Sequence, residues 1–372
     1  MHINLCAKRN DIANMNYEKL NLSFISSLYG GYWNYDLLDF CYMINPYFPP
    51  EGMLDEIVSN FISLSRNYPS TNWHISSLLS ENMNIDLDNI VVGNGASELI
   101  SAMSHLFIKN LAIPVPTFDE YPNRLRIQGK NASYFEIDKR SFNLNPDSFV
   151  EFIKTSISNA ALIIRPNNPT GQLISKKDTK YLLGELADLD LVIVDESFID
   201  FVSSEKNPSV LEYINDYENL IVIKSLSKVY GIPGLRIGYA ASGNAITMSA
   251  LRKELPIWNV NSFAQYFIQL LGNYRKEYEH SCRRVMETTK KLYKKLRGVS
   301  YLHPYPTDAN FVFCEIKNDF TSTDLTLTLF DKFNMLINDC SSKIGMDDRF
   351  VRIASRTEEE NGELIDALRM GE

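Results

Sequence analysis

Short, almost uninterrupted apolar runs alternate along this chain with longer stretches in which apolar residues recur every three or four positions. The runs occupy residues 90–92, 111–114, 132–137, 161–164, 191–194, 220–223 and 237–241. Strands that are apolar on both faces are typical of parallel sheets covered by helices on each side. The pattern therefore predicts an α/β fold with a mostly parallel central sheet flanked by helices.

The chain has 372 residues, more than one hydrophobic core usually organises. After residue 258 the pattern changes to a helical tract at 262–297, a strand-like run at 309–315 and a helix at 358–369. We therefore predict a large domain over residues 46–258. A smaller α/β domain is predicted from residues 1–45 and 259–372.

Charge and cysteine content exclude several classes of function. The formal net charge of −9 disfavours nucleic-acid and anionic-membrane partners, which require a basic surface. No stretch of 18 apolar residues is present, and the start of the chain does not resemble a signal peptide. The five cysteines are scattered and form no CxxC pair, so neither disulfides nor a metal site is predicted. We expect a soluble, cytoplasmic protein.

Two loops that follow apolar runs have compositions suited to a ligand site. Residues 93–98 read Gly-Asn-Gly-Ala-Ser-Glu between a strand and a helix, where backbone N–H groups and the helix dipole attract an anion. Such a glycine-rich turn is equally often purely structural. Residues 165–171 read Arg-Pro-Asn-Asn-Pro-Thr-Gly, which is also consistent with an ordinary proline-containing loop.

Two further strand ends supply chemically active side chains. Asp195 follows the run 191–194, where a carboxylate can pair with a cationic ring nitrogen, cap a helix or face solvent. Lys228 closes the sequence Ser225-Leu226-Ser227-Lys228, and Arg236 lies eight residues further on. A Schiff-base enzyme with a phosphorylated cofactor needs such an amine and a separate cation for the phosphate. A single loop lysine is more often only a surface charge.

Taken together, the order and spacing of these motifs resemble the fold-type I pyridoxal 5′-phosphate (PLP) enzymes of the class I/II aminotransferase superfamily. Within it, the chain is most similar to threonine-phosphate decarboxylases and histidinol-phosphate aminotransferases, from Gly30 to Arg369. The resemblance implies an aspartate-aminotransferase-like large domain and PLP as the cofactor.

The resemblance also implies roles for individual residues. Lys228 would form the Schiff base and move protons at the substrate's Cα, and Asp195 would keep the pyridine nitrogen protonated. Asn168 would bond the phenolate oxygen, and Phe118 would stack on the ring. The 5′-phosphate would be held by Gly95, Ala96, Ser225, Ser227 and Arg236.

For the remainder of the site, the resemblance implies a homodimer with shared active sites. Tyr68, in Asn67-Tyr68-Pro69, would reach the cofactor phosphate of the partner subunit. Arg352, in Phe350-Val351-Arg352-Ile353, would bind an acidic group of the substrate. An ordinary ion pair with Asp347 or Asp348 is the alternative for Arg352.

The substrate side of the site departs from both subfamilies. The aminotransferases have a tyrosine where this chain has Phe198, which favours decarboxylation. The decarboxylases have His-Gly-Gly where this chain has Tyr29-Gly30-Gly31, an asparagine where Met43 stands, and an arginine before Ser-Cys where this chain has Asn338-Asp339-Cys340. We therefore expect a rearranged anion site that involves Tyr29 and Arg165, with Arg356 as a further candidate.

Three functions are compatible with these residues. The first is an aminotransferase for a small, probably phosphorylated, amino or keto compound, favoured by the altered substrate site and by how common transamination is in the superfamily. The alternative is a decarboxylase of an O-phospho-amino acid of the phosphothreonine or phosphoserine type. A regulatory PLP-binding scaffold is disfavoured by the acidic charge and by the intact Lys228, Asp195 and Arg236.

Overall fold

The computed structural model describes residues 21–370. The strands in chain order are β1 Leu38–Asp39, β2 Ile90–Asn94, β3 Asn110–Val115, β4 Asn131–Glu136, β5 Ala160–Ile164, β6 Leu191–Asp195, β7 Leu220–Ser225, β8 Ile237–Ala241, β9 Leu302–Pro304, β10 Phe311–Ile316, β11 Met335–Leu336, β12 Asn338–Asp339 and β13 Phe350–Ala354. The helices are α1 Leu22–Ser27, α2 Glu51–Ser59, α3 Phe61–Arg66, α4 Asn72–Met83, α5 Ala96–Phe107, α6 Glu120–Ile127, α7 Pro146–Thr155, α8 Lys176–Glu185, α9 Leu226–Val229, α10 Ala245–Glu254, α11 Ser262–Leu270, α12 Arg275–Leu296, α13 Ser322–Phe333 and α14 Glu358–Met370.

A seven-stranded sheet with the order β2-β8-β7-β6-β5-β3-β4 forms the centre of the fold. The pairings from β7 through to β4 are parallel, whereas β8 is antiparallel to both β7 and β2. Only residues 226–236 separate β7 from β8, and a connection that short suits an antiparallel turn better than a parallel crossover. The predicted α/β fold with a mostly parallel central sheet is confirmed.

Alternate residues of each central strand enter different hydrophobic cores on the two faces of the sheet. In β6, Val192 and Val194 pack with α4, α7, α8 and α11, whereas Ile193 packs with α5, α6 and α10. All three side chains are fully buried. The near-continuous apolar runs of the inner strands follow from this double burial, whereas the edge strand β4 is partly exposed.

A second sheet, with the order β12-β13-β10-β9, is antiparallel throughout and packs against α12. The helical tract predicted over 262–297 is interrupted by a 3-10 turn at Leu271–Tyr274, which separates α11 from α12. Helix α11 packs on α2, α3 and α4, although the predicted domain boundary assigns it to the small domain. Within residues 21–370, no helix is long and apolar enough to cross a membrane.

Candidate active site

The site predicted from the sequence lies at one edge of the central sheet. Strands β2, β3, β5, β6 and β7 all run in the same direction, so their carboxyl ends meet at that edge, where open α/β sheets bind ligands. Because β8 runs the opposite way, Arg236, the residue immediately before it, lies at this edge too. The antiparallel direction of β8 therefore places the positively charged Arg236 beside the loops that follow the parallel strands.

Lys228 lies on the short helix α9, directly after β7. Burial is the main cause that lowers the pKa of its ammonium to about 8, and the positive charges of Arg352 and Arg236 lower the pKa further. The backbone of this turn is fixed, because the carbonyl of Lys228 accepts a 2.9 Å hydrogen bond from the backbone N–H of Asn45. An amine with such a pKa is partly neutral near pH 8 and available as a nucleophile.

Asp195 ends β6 as a buried carboxylate that is hydrogen-bonded on both oxygens. Its Oδ1 accepts from Ser197 N at 3.0 Å and from Ser197 Oγ at 2.6 Å, and its Oδ2 accepts from the hydroxyl of Tyr121 at 3.0 Å. Burial raises the pKa of Asp195, although these hydrogen bonds oppose the rise. A protonated ring nitrogen beside this carboxylate would supply the opposite charge that its buried position lacks.

The contact between Tyr121 and Asp195 was not predicted from the sequence. Tyr121 is fully buried on the first turn of α6, three residues after Phe118, and the two rings meet edge to face at 6.5 Å between centroids. A spacing of three residues at a helix start places two side chains on the same face. This spacing from Phe118 was the sequence feature that could have placed Tyr121 at the site.

Gly95 and Ala96 form the start of α5 and Arg236 lies against Gly95, while Ser225 ends the nearby strand β7 and Ser227 follows on α9. Gly95 has φ +74°, and a Cβ there would lie 2.5 Å from Arg236 Nη2, so a side chain at this position would displace the guanidinium. Arg236 Nη2 donates to Ser97 Oγ at 3.0 Å. Ser227 Oγ is buried and has no hydrogen-bond partner within the described part of the chain. A phosphate at this helix start would satisfy that hydroxyl.

Arg352, in β13, is buried beside Asn168. Its Nη1 donates to Asn168 Oδ1 at 2.6 Å and its Nη2 donates to the carbonyl of Cys41 at 2.7 Å, whereas its buried Nε finds no partner among residues 21–370. These acceptors are neutral, and neither Asp347 nor Asp348 pairs with the guanidinium. The alternative of an ordinary surface ion pair for Arg352 is therefore wrong. Its uncompensated charge suits an acidic ligand.

One large cavity, with a volume of about 1110 Å³, brings together several of the predicted site residues. Its lining includes Tyr29, Phe118, Asn168, Lys228 and Arg352. Met43, Asn338 and Asp339, which occupy positions where the sequence departs from the decarboxylases, line the same cavity. The cavity is therefore where the substrate specificity of this chain would be decided.

Arg165 does not line that cavity, and the structure corrects the prediction that it belongs to the anion site. Its fully buried guanidinium donates from Nη1 to Glu196 Oε1 at 2.7 Å and to the carbonyl of Pro208 at 2.6 Å, and from Nε to the carbonyl of Ile174 at 3.1 Å. A buried carboxylate needs such a partner. Arg165 therefore stabilises the segment after β6 through Glu196, without lining the cavity.

Arg356 is also placed outside the cavity lining. Its Nη1 donates to the carbonyl of Asp39 at 2.8 Å, and its Nη2 pairs with Glu360 at 2.7 Å. The prediction that Arg356 contacts the substrate is corrected in the same way. Of the predicted substrate arginines, only Arg352 lies in the cavity.

Tyr68 lies on an exposed loop between α3 and α4. Its side chain is 77% exposed and stacks on Trp258, with 4.2 Å between ring centroids. A large aromatic residue that is held in place and left exposed is typical of a contact with another chain. The role of Tyr68 at a partner's site stays a prediction.

Comparison with known proteins agrees with this geometry. The family model for aminotransferase class I and II matches residues 60–368. The chain belongs to this family. Its members are PLP-dependent enzymes. In this chain, the predicted residues for that cofactor would be the Gly95 turn, Ser225, Ser227 and Arg236 for the phosphate, Asp195 for the ring nitrogen and Lys228 for the aldehyde carbon.

Relatives in the family have several activities. An L-serine phosphate decarboxylase of Campylobacter jejuni is 33% identical over 89% of this chain and 87% of its own length. A CMP-5′-(3-aminopropyl)phosphonate synthase of Streptomyces rubellomurinus is 33% identical over 92% of this chain, which spans only 54% of that longer protein. The histidinol-phosphate aminotransferase structure from Clostridium acetobutylicum has a TM-score of 0.83 at 27% identity and covers 90% of this chain and 99% of its own.

Proposed function

We propose that this enzyme decarboxylates an O-phospho-L-amino acid of the phosphoserine or phosphothreonine type. The observation that carries the reaction type is Phe198, three residues after Asp195. It is buried and packs edge to face on Phe311, with 5.2 Å between ring centroids. The position where the aminotransferases have a tyrosine thus supplies no hydroxyl. The similarity to L-serine phosphate decarboxylases over almost the whole chain supports the same reaction.

The charge of the cavity supports an acidic substrate. Lys228, Lys343 and Arg352 line it, opposed by the carboxylates of Asp119 and Asp339. Lys343 is already paired with Asp119, whereas Arg352 contacts only neutral acceptors within the described chain. In a protein of net charge −9, this local positive charge favours a substrate with both a carboxylate and a phosphate.

Each residue of the site would have a separate role in this reaction. PLP, when bound, withdraws electrons from the Cα of the amino acid attached to it. Asp195, held by Ser197 and Tyr121, would keep the ring nitrogen protonated. Arg352 would orient the substrate through an acidic group. The carboxylate leaves as carbon dioxide, and Lys228 would deliver the proton that takes its place on Cα.

Transamination, the leading interpretation from the sequence, is the second candidate. The observation in its favour is the structural match to a histidinol-phosphate aminotransferase at 27% identity. Lys228 would then move a proton from Cα instead of delivering one there. Both reactions use the same residues, so the geometry at Cα decides between them.

The test is a direct product assay. The PLP-loaded protein is incubated with O-phospho-L-serine or O-phospho-L-threonine, with and without 2-oxoglutarate. We expect carbon dioxide and the matching phosphorylated amine, independent of 2-oxoglutarate, and no product with Lys228→Ala. Formation of glutamate without carbon dioxide would establish transamination instead.

We also infer that the enzyme acts as a homodimer with shared sites, as members of this family typically do. Several apolar side chains are exposed on α2 and α3, the two helices that precede Tyr68 in the chain: Leu54, Val58, Phe61 and Ile62. Exposed apolar side chains clustered on one part of a protein favour an interface. A second copy bound there would also cover Tyr68 and Trp258.

A further inference from the structure

The cavity that contains Lys228 and Arg352 extends well beyond them. Its volume of about 1110 Å³ exceeds the roughly 300–1,000 Å³ typical of sites for drug-sized ligands. O-phospho-L-serine is much smaller, because only the β-carbon and the ester oxygen separate its Cα from the phosphate. A substrate of that size leaves part of the cavity unused.

Helix α6 forms a wall of the unused part. Pro122 and Arg126, four residues apart on one face of α6, line the cavity together with Asn123, and Lys130 lies four residues further on, beyond the helix. At 1.5 Å per residue, Arg126 lies roughly 9 Å along α6 from Glu120, where the helix begins two residues after Phe118. Phe118 marks the inner end, where the cofactor ring would stack. The outer part of the cavity therefore extends along α6 away from that end.

Two cations in this outer part are not neutralised by the protein. The side chain of Arg126 is exposed and forms no hydrogen bond or ion pair with residues 21–370, and Lys130 Nζ reaches only the carbonyl of His105 at 3.4 Å. By contrast, Arg124 on another face of the same helix pairs with Glu120 at 2.7 Å. The unpaired cations face the cavity and suit an anionic ligand.

Aromatic side chains accompany these cations. Tyr134 on the edge strand β4 is 41% exposed, and Tyr29 is 89% exposed; both line the cavity. Tyr29 has φ +49°, a left-handed conformation that only surrounding structure maintains in a tyrosine. Exposed aromatic faces beside cations are the combination that binds the base and phosphate of a nucleotide.

We propose that the outer part of the cavity is a nucleotide subsite, and that the substrate's phosphoryl group carries a nucleoside. Arg126 and Lys130 would contact the phosphodiester and the ribose, and Tyr134 and Tyr29 would stack on the base. The placement of the amino acid at Lys228 rests on the decarboxylase function proposed above. The bond to the nucleoside stays intact, and the carboxylate is still replaced by a proton.

Binding is measured separately from turnover to test this subsite. Cytidine 5′-monophosphate (CMP), ribose 5-phosphate and inorganic phosphate are each titrated into the PLP-loaded protein by calorimetry. We expect CMP to bind at least tenfold tighter than ribose 5-phosphate, and ribose 5-phosphate tighter than inorganic phosphate. The double variant Arg126→Ala with Lys130→Ala should weaken CMP binding at least tenfold, and Tyr134→Ala should remove the preference for CMP over ribose 5-phosphate.

The matched control is Arg124→Ala, which removes a positive charge from the same helix outside the cavity and should leave CMP affinity within twofold of wild type. Equal affinity for CMP and inorganic phosphate, or CMP binding unaffected by the double variant, would overturn the subsite. CMP binding that depends on Arg126, in a protein that releases no carbon dioxide, would leave the subsite standing and reject the decarboxylase function.

Discussion

At the level of single residues, the pKa of Lys228 depends strongly on its surroundings. Burial, Arg352 and Arg236 together lower its pKa to about 8. We expect the rate at which the apoenzyme captures PLP to rise through pH 8 and then level off, as measured by stopped-flow absorbance. A rate that keeps rising towards pH 10.4, the ordinary lysine value, would contradict this. Arg352→Gln should shift the profile to higher pH.

The same pKa has a consequence for stability. Between pH 8 and the ordinary lysine pKa, the unfolded apoenzyme binds more protons at Lys228 than the folded form. The free energy of unfolding therefore gains a contribution as the pH rises through this range, and Lys228→Met should remove that contribution. Urea unfolding of the wild-type apoenzyme and of the Lys228→Met variant at several pH values measures this contribution and its loss.

Alanine variants of Arg352 and Arg356 form a matched pair that tests whether Arg352 anchors the substrate. Arg352 lies in the cavity with a buried unpartnered Nε, whereas Arg356 pairs with Glu360 outside it. Leaving the substrate anion unpaired costs roughly 2–5 kcal/mol, so Arg352→Ala should lower kcat/KM on the order of a hundredfold or more while PLP absorbance is retained.

Arg352→Lys should rescue little, since an ammonium lacks the planar fork. Arg356→Ala should change kcat/KM by less than about threefold, because the ion pair with Glu360 and the hydrogen bond to the Asp39 carbonyl that it removes both lie outside the cavity lining. Equal losses in the two alanine variants would show that Arg352 acts through folding alone.

Phe198 is expected to bias the reaction type. Phe198→Tyr places a hydroxyl where the aminotransferases have one, and a net hydrogen bond of about 1 kcal/mol corresponds to about a fivefold change. We expect the ratio of glutamate to carbon dioxide formed with 2-oxoglutarate to rise by that factor. Phe198→Leu, which adds no hydroxyl, should leave the ratio unchanged. A decrease with tyrosine would reject this role.

At the level of elements, the turn from β2 into α5 depends on glycine for two reasons that can be separated. Gly95 and Gly129 both have positive φ, +74° and +66°, but only at Gly95 would a Cβ meet another group, Arg236. Gly95→Ala and Gly129→Ala should each lose about 1 kcal/mol of stability from backbone strain.

Only Gly95→Ala should also weaken PLP binding, by at least tenfold, because the displaced guanidinium no longer reaches the phosphate. Thermal unfolding and PLP titration of the two variants provide the comparison. Normal PLP affinity in Gly95→Ala would place the phosphate elsewhere.

At the level of the whole molecule, the shared-site dimer makes a complementation prediction. Tyr68→Ala and Lys228→Ala proteins should each have little activity. Mixing them after reversible dissociation should restore activity, since a heterodimer contains one site with both an intact Lys228 and a partner's Tyr68. No recovery, or full activity in a monomer by light scattering, would reject shared sites.

Much of this protein could be predicted from local sequence. A strand buried on both faces must be apolar along its length, as Leu191–Asp195 is before its final carboxylate. The carboxyl ends of parallel strands meet at one sheet edge, so the sequence positions of Asp195 and Lys228 predicted that both lie there, whereas their roles came from the resemblance to the PLP enzymes. These features depend on neighbours along the chain.

Only the tertiary structure decided which side chains meet. Asn168 and Arg352 are 184 residues apart, and Tyr121 and Asp195 are 74 residues apart, yet each pair forms a hydrogen bond. Arg165 was a further candidate for the anion site after Arg352, but Glu196 already neutralises it in the core. The charge of an arginine is the same in both places, and whether it is available to a ligand depends on the groups that folding brings into contact with it.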